Sequence, residues 1–312
     1  PPAIVSVFLG EQLTDIFEQL AKGGAKNSKK GGQLKLGSSI LPPLPKDSTD
    51  RNRTSPFAFT GNKFEFRMVG SSQSISGPSF VLNTIVADTL SDIADVLEKA
   101  DDPKAAAQKI LQDIATKHAR IVYNGDNYTE EWVAEAARRG LPNIRSTYEA
   151  VMAFPTPEHV ALFTKHGVLS QGEMLARTEI LLEGYSKQIN IEAQTMLNMA
   201  KRQILPACCE FAGRLGQSVT AVSGAGVSAE PQKKLLKKVS DLIAAMETKI
   251  EALEKAVAKA AGMHGAEKHA QSYHDDVLPA MAALRQTADE LETLVEAKLW
   301  PLPTYAEMLF MK

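Results

Sequence analysis

The chain has 312 residues, 44% hydrophobic and 23% charged, with a formal net charge of −2, a composition able to bury a sizeable core in one large or two moderate domains. That near-neutral balance gives no general electrostatic basis for nucleic-acid binding, which draws on a basic face or stripe. No apolar run reaches the roughly 18 to 20 residues needed to cross a bilayer, and no charged segment leads into an apolar one at the start, so no membrane partner and no secretory leader are expected.

The opening "PPAIVSVFLGEQL" has no initiator methionine. Its "AIVSVFL" reads as a buried strand that needs neighbours on both sides, which suggests a start inside a domain. In "EQLTDIFEQLAKG" the apolar residues Leu13, Ile16, Phe17 and Leu20 recur at helical spacing, and the run ends in lysine and glycine as a helix does. Lysines 22, 26, 29, 30 and 35 then stand among glycines and serines. Residues 22–36 lack the Gly-x4-Gly-Lys-Ser/Thr spacing of a phosphate loop. They are expected to be a flexible basic insertion, the alternative being a loop that touches a phosphate or a neighbouring subunit.

Residues 55–68 read as two short strands around the turn "TGNK". Everything beyond "GSSQSISGPS" is helical in pattern, with helices expected over about 79–99, 103–122, 129–139, 146–153 and 157–166, and a long one over about 171–215 kinked by Pro206. Thr129 in "VYNGDNYTEEW" is a helix-start signal, either plain capping or a contact near an active site. The adjacent Cys208 and Cys209 are poorly placed to bridge each other, which favours a reducing, cytoplasmic setting, and Cys208 fits a buried helix position. Residues 217–230 look like a linker. Two helices follow near 231–261 and 266–298. Val239, Ile243, Met246, Ile250, Leu253 and Val257 alternate steps of four and three, as do Val277, Met281, Leu284, Ala288, Leu291 and Val295. A glycine-containing connection favours an antiparallel hairpin over residues 231–298, the alternative being a coiled-coil interface to another chain. His264, His269 and His274 recur every five residues, which rotates them around a helix and argues against a metal site.

The stretch with most chemistry is "KFEFR". Strand alternation points Lys63, Glu65 and Arg67 to one face and sends Phe64 and Phe66 to the core. Such a face is either a solvated charged surface or a carboxylate for a hard divalent cation, flanked by cations that bind anionic oxygens. Spacing alone leaves both open.

"RNRTSPFAFTGNKFEFRMVGSSQSISGPSFVLNT" closely resembles glutamine synthetase, in particular its long bacterial type III form. The shorter bacterial form has runs like R-N-R-S-A-S-I-R, I-E-V-R and N-P-Y-L; here stand Arg51-Asn52-Arg53-Thr54-Ser55, Phe64-Glu65-Phe66-Arg67 and Gly77-Pro78-Ser79-Phe80. Weaker resemblance continues through "GLPNIRSTYEAV", "KHGVLSQGEMLARTEILLEGYSKQINIEAQTM" and the tail "LWPLPTYAEMLFMK". It implies an α+β fold, with an antiparallel sheet and helices forming the C-terminal part of a catalytic domain (residues 1–125), followed by a mostly helical region (126–312) of which 126–205 still pack with the catalytic domain.

The resemblance also implies ATP-dependent ligation of ammonia to glutamate through an acyl phosphate, with Mg2+ or Mn2+ and with ATP as co-substrate. It makes Glu65 a metal ligand and Arg67 a substrate-binding residue for glutamate or its phosphorylated side chain. Arg53 becomes the group that neutralises the transferring phosphoryl, so Arg53 and Arg67 are the expected catalytic pair. Where the shorter form has a further arginine this sequence has Ala58, and Lys63 is the candidate phosphate-binding replacement. The implied assembly is a cytoplasmic homo-oligomer, a dodecamer of two hexameric rings. In the family the nucleotide segment and most metal ligands lie upstream of the stretch matched here, so this chain alone is expected to be inactive. Two alternatives stand beside this: a ligase joining glutamate to another amine, and a helical interaction module without catalysis.

Overall fold

The structure is a computed structural model that describes residues 4–29, 33–34, 44–45, 55–60, 63–67, 70, 73–303 and 305–310. The chain divides into two compact units, Pro1–Met174 and Leu175–Lys312.

The first unit begins with strand β1 (Val7–Phe8) and helix α1 (Gly10–Ala21), continues through a two-stranded antiparallel pair, β2 (Gln33–Leu34) and β3 (Leu44–Pro45), and reaches β4 (Phe57–Phe59) and β5 (Phe64–Phe66). The main sheet has the order β1-β4-β5. β4 runs parallel to β1, with Val7 opposite Phe57, and antiparallel to β5. The sheet is therefore mixed where an antiparallel one was expected. The cause is connectivity: the crossover through α1 brings the chain back in the same direction, and only the short turn into β5 reverses it. A parallel bridge between Val7 and Val122, with Tyr123 N–H donating to the Val7 carbonyl at 3.0 Å, extends pairing on the other side of β1.

The start of the basic segment folds back on α1. Gln19 accepts from the Lys26 N–H at 2.9 Å, and Lys29 lies 3.7 Å from Asp15. Of the expected basic insertion, residues 30–32 and 35–36 lie outside the described residues.

Helices α2 (Ser76–Glu98), α3 (Pro103–Lys117), α4 (Glu130–Arg138), α5 (Thr147–Ala153) and α6 (Pro157–Lys165) follow the sequence signals closely. Asp102 caps α3 by accepting from the N–H groups of Lys104 and Ala105 ahead of Pro103. Thr129 caps α4 through the Trp132 N–H, and Ser146 with Glu149 forms a capping box on α5. Ile4, Trp132, Ala136 and Leu141 make one core; Phe163, Leu169 and Met174 make another, packed by Phe80, Val81, Phe154 and Val160.

Helix α7 (Gln171–Met199) runs across the division between the units, and α8 (Leu205–Gly224), α9 (Glu230–Ala261), α10 (Ala266–Ser272), α11 (Leu278–Glu292) and α12 (Tyr305–Leu309) complete the second unit. The break at Pro206 is a π turn, Ala200–Ile204, in which the Leu205 N–H reaches back five residues to the Ala200 carbonyl. Proline removes the donor and crowds the preceding turn, and one extra residue in the turn, a local under-winding, absorbs both. The same device recurs at Tyr273–Val277 ahead of Pro279. Residues 217–224, expected to be linker, are helical. Their serines and threonine lower helix propensity without forbidding it, Thr220 donates back to the Gly216 carbonyl, and the helix stops only where Gly226 adopts φ +77°.

The core of the second unit gathers Val239, Met246, Ile250, Leu253 and Val257 of α9 with Val277, Met281, Leu284, Leu291 and Val295, all buried, and with Leu197, Ile204 and Cys208. Each large apolar side chain so buried contributes about 1.5–3 kcal/mol relative to exposure. Polar contacts between α9 and the residues after it pair Lys238 with Glu290, Lys249 with Thr287 and Lys259 with Asp276. Among the described residues no helix is long and apolar enough to cross a membrane.

Candidate functional site

Lys63, Glu65 and Arg67 do come together on one face of β5. Thr60 N–H donates to the Lys63 carbonyl at 2.9 Å, closing the turn, and places its hydroxyl 3.3 Å from Glu65 Oε1. Lys63 Nζ lies 3.2 Å from the same oxygen, while Arg67 Nε and a terminal nitrogen both donate to Glu65 Oε2 at 3.2 Å. Each carboxylate oxygen thus faces its own cation. The hydrogen bond from Lys63, and after it that from Arg67, holds the Glu65 carboxyl below its ordinary value of 4.5 against the opposing effect of desolvation, so the group is ionised at neutral pH.

The opposite face departs from expectation. Phe57 stacks against Phe66 with ring centroids 5.0 Å apart and Phe59 against Phe64 at 5.2 Å, but Phe64 is 59% exposed. β5 is the outer strand, and an edge strand presents its second face to whatever lies beyond the sheet. The two phenylalanines therefore form a cross-strand aromatic ladder and not core.

Ala58 sits directly opposite Glu65 in the β4–β5 register and is fully buried. The alanine leaves the position beside the carboxylate without charge, and Lys63 supplies a cation there from the turn. Arg53 lies outside the described residues.

Glu65 suits a hard divalent cation in charge and donor type, with its side chain about a third exposed at 35%. Among the described residues no group of three or more His, Cys, Asp or Glu side chains could hold a metal ion. Two of the three histidines have neighbours in the second unit. His269 meets Tyr273 edge-on and His274 Nδ1 lies 2.6 Å from Asp275. Cys208 is buried, which pushes its thiol up to about 11.

Several residues that support the strand carry no motif. Ser6 Oγ donates to Ser55 Oγ at 2.7 Å, and Ser55 Oγ donates to the Tyr123 carbonyl at 3.1 Å, with both serines fully buried. Tyr123 stacks on Trp132 at 3.8 Å, and the Arg139 guanidinium covers the Trp132 ring at 5.3 Å while donating to the Val122 carbonyl at 2.9 Å. Glu135 holds Arg138 and Arg139, which bring its carboxyl down to about 2. Only the "VYNGDNYTEEW" signal in the sequence pointed toward this cluster.

Residues 106–223 match the family described as the glutamine synthetase C-terminal domain. The chain is 37% identical to the type-3 glutamine synthetase of Dictyostelium discoideum, over 100% of its own length and 44% of that protein. It is 35% identical to a glutamine synthetase of Butyrivibrio fibrisolvens, over 99% of its length and 45% of that protein. With a glutamine synthetase of Bacteroides fragilis it shares 32% identity over 100% of its length and 45% of that protein. The chain thus spans a little under half the length of these relatives. Along its whole length it is similar to these glutamine synthetases, and residues 106–223 match the glutamine synthetase C-terminal domain.

Proposed function

We propose that this chain is the C-terminal part of an ATP-dependent ligase that joins ammonia to glutamate through a γ-glutamyl phosphate. The observation that carries the proposal is the cation–carboxylate–cation arrangement of Lys63, Glu65 and Arg67 in a chain related end to end to glutamine synthetases. A bound Mg2+ or Mn2+ would neutralise charge on phosphate oxygens, with Glu65 as one of its ligands. Arg67 would orient the carboxylates of glutamate, Lys63 would hold a phosphate oxygen, and Arg53 would act on charge that grows as the phosphoryl group transfers. Ionisation of Glu65 is secured by its cationic neighbours, so the carboxylate is ready as a ligand at neutral pH.

The same family reading supplies a cytoplasmic dodecamer of two hexameric rings, and the glycine-containing connection favours residues 231–298 closed as an antiparallel hairpin within one chain. The pairing of Lys238 with Glu290 and of Lys259 with Asp276 supports that direction. Because the chain spans a little under half of its relatives, the 312 residues alone are proposed to be inactive.

The deciding experiment compares this chain with a longer protein that includes the upstream portion, both given ATP, Mg2+, glutamate and ammonia. Glutamate- and ammonia-dependent phosphate release from the longer protein only is the expected result. Release that depends on another amine would redirect the proposal to that ligase, and none from either would leave an interaction module.

A further inference from the structure

We propose that Ser55 is a positioning residue for the site strand, acting through the buried chain Ser6–Ser55–Tyr123; this rests on the ligase reading above. Three segments distant in sequence meet at this serine. Its hydroxyl accepts from Ser6 at 2.7 Å and donates to the Tyr123 carbonyl at 3.1 Å. The Phe57 N–H donates to the Ser6 carbonyl at 3.4 Å, and the Tyr123 N–H to the Val7 carbonyl at 3.0 Å. Both serines have no exposed surface. A buried hydroxyl is retained without penalty only where its partners are met, and here each is met in a fixed direction.

The position of this node links it to the chemistry. Ser55 stands two residues after Arg53 in the sequence. The next residue, Pro56, accepts from the Arg67 N–H at 2.9 Å, so the backbone that carries Arg67 hangs from the residue adjoining the node. Three residues on, Ala58 is the cross-strand partner of Glu65. A shift of Ser55 therefore moves Arg67 and Glu65 together. An alanine at 55 would fill nearly the same space while removing the donor to the Tyr123 carbonyl and the nearer acceptor of the Ser6 hydroxyl, which would keep only its longer bond to the Ile4 carbonyl at 3.4 Å. Packing alone does not require the hydroxyls; fixing the relative placement of three segments does.

The test uses the longer protein that includes the upstream portion. Ser55→Ala, Ser6→Ala and the double variant are compared for glutamate KM, kcat and Mn2+ affinity measured by titration without substrates. Supporting groups around a metal ligand change affinity or activity by about 10- to 100-fold when removed. Ser55→Ala should weaken Mn2+ affinity and kcat/KM within that range, and the double variant should be no worse than the single, since both break one chain. Ser272→Ala is the structural control: Ser272 is buried and donates to Asp276 at 2.8 Å in the other unit, and its loss should lower thermal stability while leaving Mn2+ affinity and KM unchanged. If Ser55→Ala does not fold, Ser55→Cys, close in size and a weaker donor, takes its place with a smaller loss in the same direction. Ser55 and Ser6 variants that lose stability but keep parental Mn2+ affinity and kinetics would overturn the proposal. A parent without glutamate-dependent phosphate release would overturn the ligase reading as well, which separates the two failures.

Discussion

Asn124 caps the start of α1 at Gly10 from 114 residues away, its side-chain oxygen accepting from the Gly10 N–H at 3.0 Å and from the Leu9 N–H at 3.1 Å. Leu9, at the N-cap position, has no side-chain oxygen to offer these donors. The Asn124 amide nitrogen also donates to Thr14 Oγ1 at 2.8 Å. A residue of the "VYNGDNYTEEW" segment therefore supplies the cap that α1 lacks locally, and ties that segment to the strand side of the first unit.

Removing this cap should cost what a local N-cap costs. Asn124→Ala is expected to destabilise the first unit by about 0.5–2 kcal/mol. Asn124→Asp keeps the acceptor and adds charge at a helix N-terminus, so it should stay within about 0.5 kcal/mol of the parent. Hydrogen–deuterium exchange at residues 9–14 reads the effect locally. Equal protection in the parent and the alanine variant would show that the cap contributes nothing.

A second prediction concerns acid. Glu135 is held at about 2 by Arg138 first and Arg139 second, below its ordinary 4.5. A depressed carboxylate contributes stability that is fully present above its unfolded value and is lost as pH falls through the folded one. The stability difference between parent and Glu135→Gln should therefore be constant from pH 7 to about 5 and shrink between 4.5 and 2. Urea midpoints followed by the fluorescence of Trp132, in a Trp300→Phe background, measure it. A difference that grows on acidification would reverse the assignment.

The elements legible in the sequence were those specified by local chemistry. Asp102 with Pro103, Thr129, and Ser146 with Glu149 announce their helices because each cap is satisfied within three residues. The heptad positions from Val239 to Val257 are buried or partly buried as their spacing requires. What stayed hidden depended on distant partners. The parallel pairing of β1 with β4 is set by a crossover, the Asn124 cap comes from another segment, and the exposure of Phe64 follows from β5 being the outer strand. The serines, threonine and glycine of 217–224 describe composition, whereas the end of the helix turned on a single left-handed residue, Gly226. At the site, alternation put Lys63, Glu65 and Arg67 on one face, but nothing in "KFEFR" names Thr60 or the buried serines behind the strand.

The adjacent cysteines should react unequally. Burial, and after it the neighbouring Cys209, raises the Cys208 thiol to about 11, while Cys209 is exposed. Only thiolate attacks, and a fully buried sulfur offers no approach. An aromatic disulfide reagent at pH 8 should release one equivalent per folded chain and a second only on unfolding. Cys209→Ser should abolish the fast equivalent. Rapid labelling of that variant would show that α8 opens in the folded state.

The direction of the helices around α9 can be read by cross-linking. Lys238 Nζ and Glu290 Oε1 are 2.9 Å apart and both side chains are half exposed. In a Cys208→Ala, Cys209→Ser background, cysteines placed at 238 and 290 should be joined by a short bifunctional maleimide within one chain. Mixing two differently tagged preparations, each carrying one of the new cysteines, should give no cross-linked pair. A product found only between chains would replace the proposed hairpin by a coiled-coil interface between copies.

The last prediction separates an ordinary charged face from a prepared ligand. Lys63 is the first cause of the depressed Glu65 carboxyl and Arg67 the second. Lys63→Ala should raise the Glu65 value back toward 4.5, and Lys63→Arg should hold it down. By linkage, the stability that Lys63 contributes through this pair is present above the unfolded value and disappears as pH falls through the folded one. Carbon-13 detection of the Glu65 carboxyl in this chain follows the first effect without any assay. In the longer protein, Lys63→Ala should lower kcat more than it raises the Mn2+ dissociation constant. Glu65, proposed as a metal ligand, keeps its own charge, but the cation proposed to hold a phosphate oxygen is gone. Glu65→Gln should do the reverse first, losing metal affinity and with it turnover, because a hard cation needs the carboxylate charge. If neither substitution alters turnover or Mn2+ binding while the Glu65 titration shifts as expected, the pair is surface electrostatics and the proposed roles of Lys63 and Glu65 are wrong.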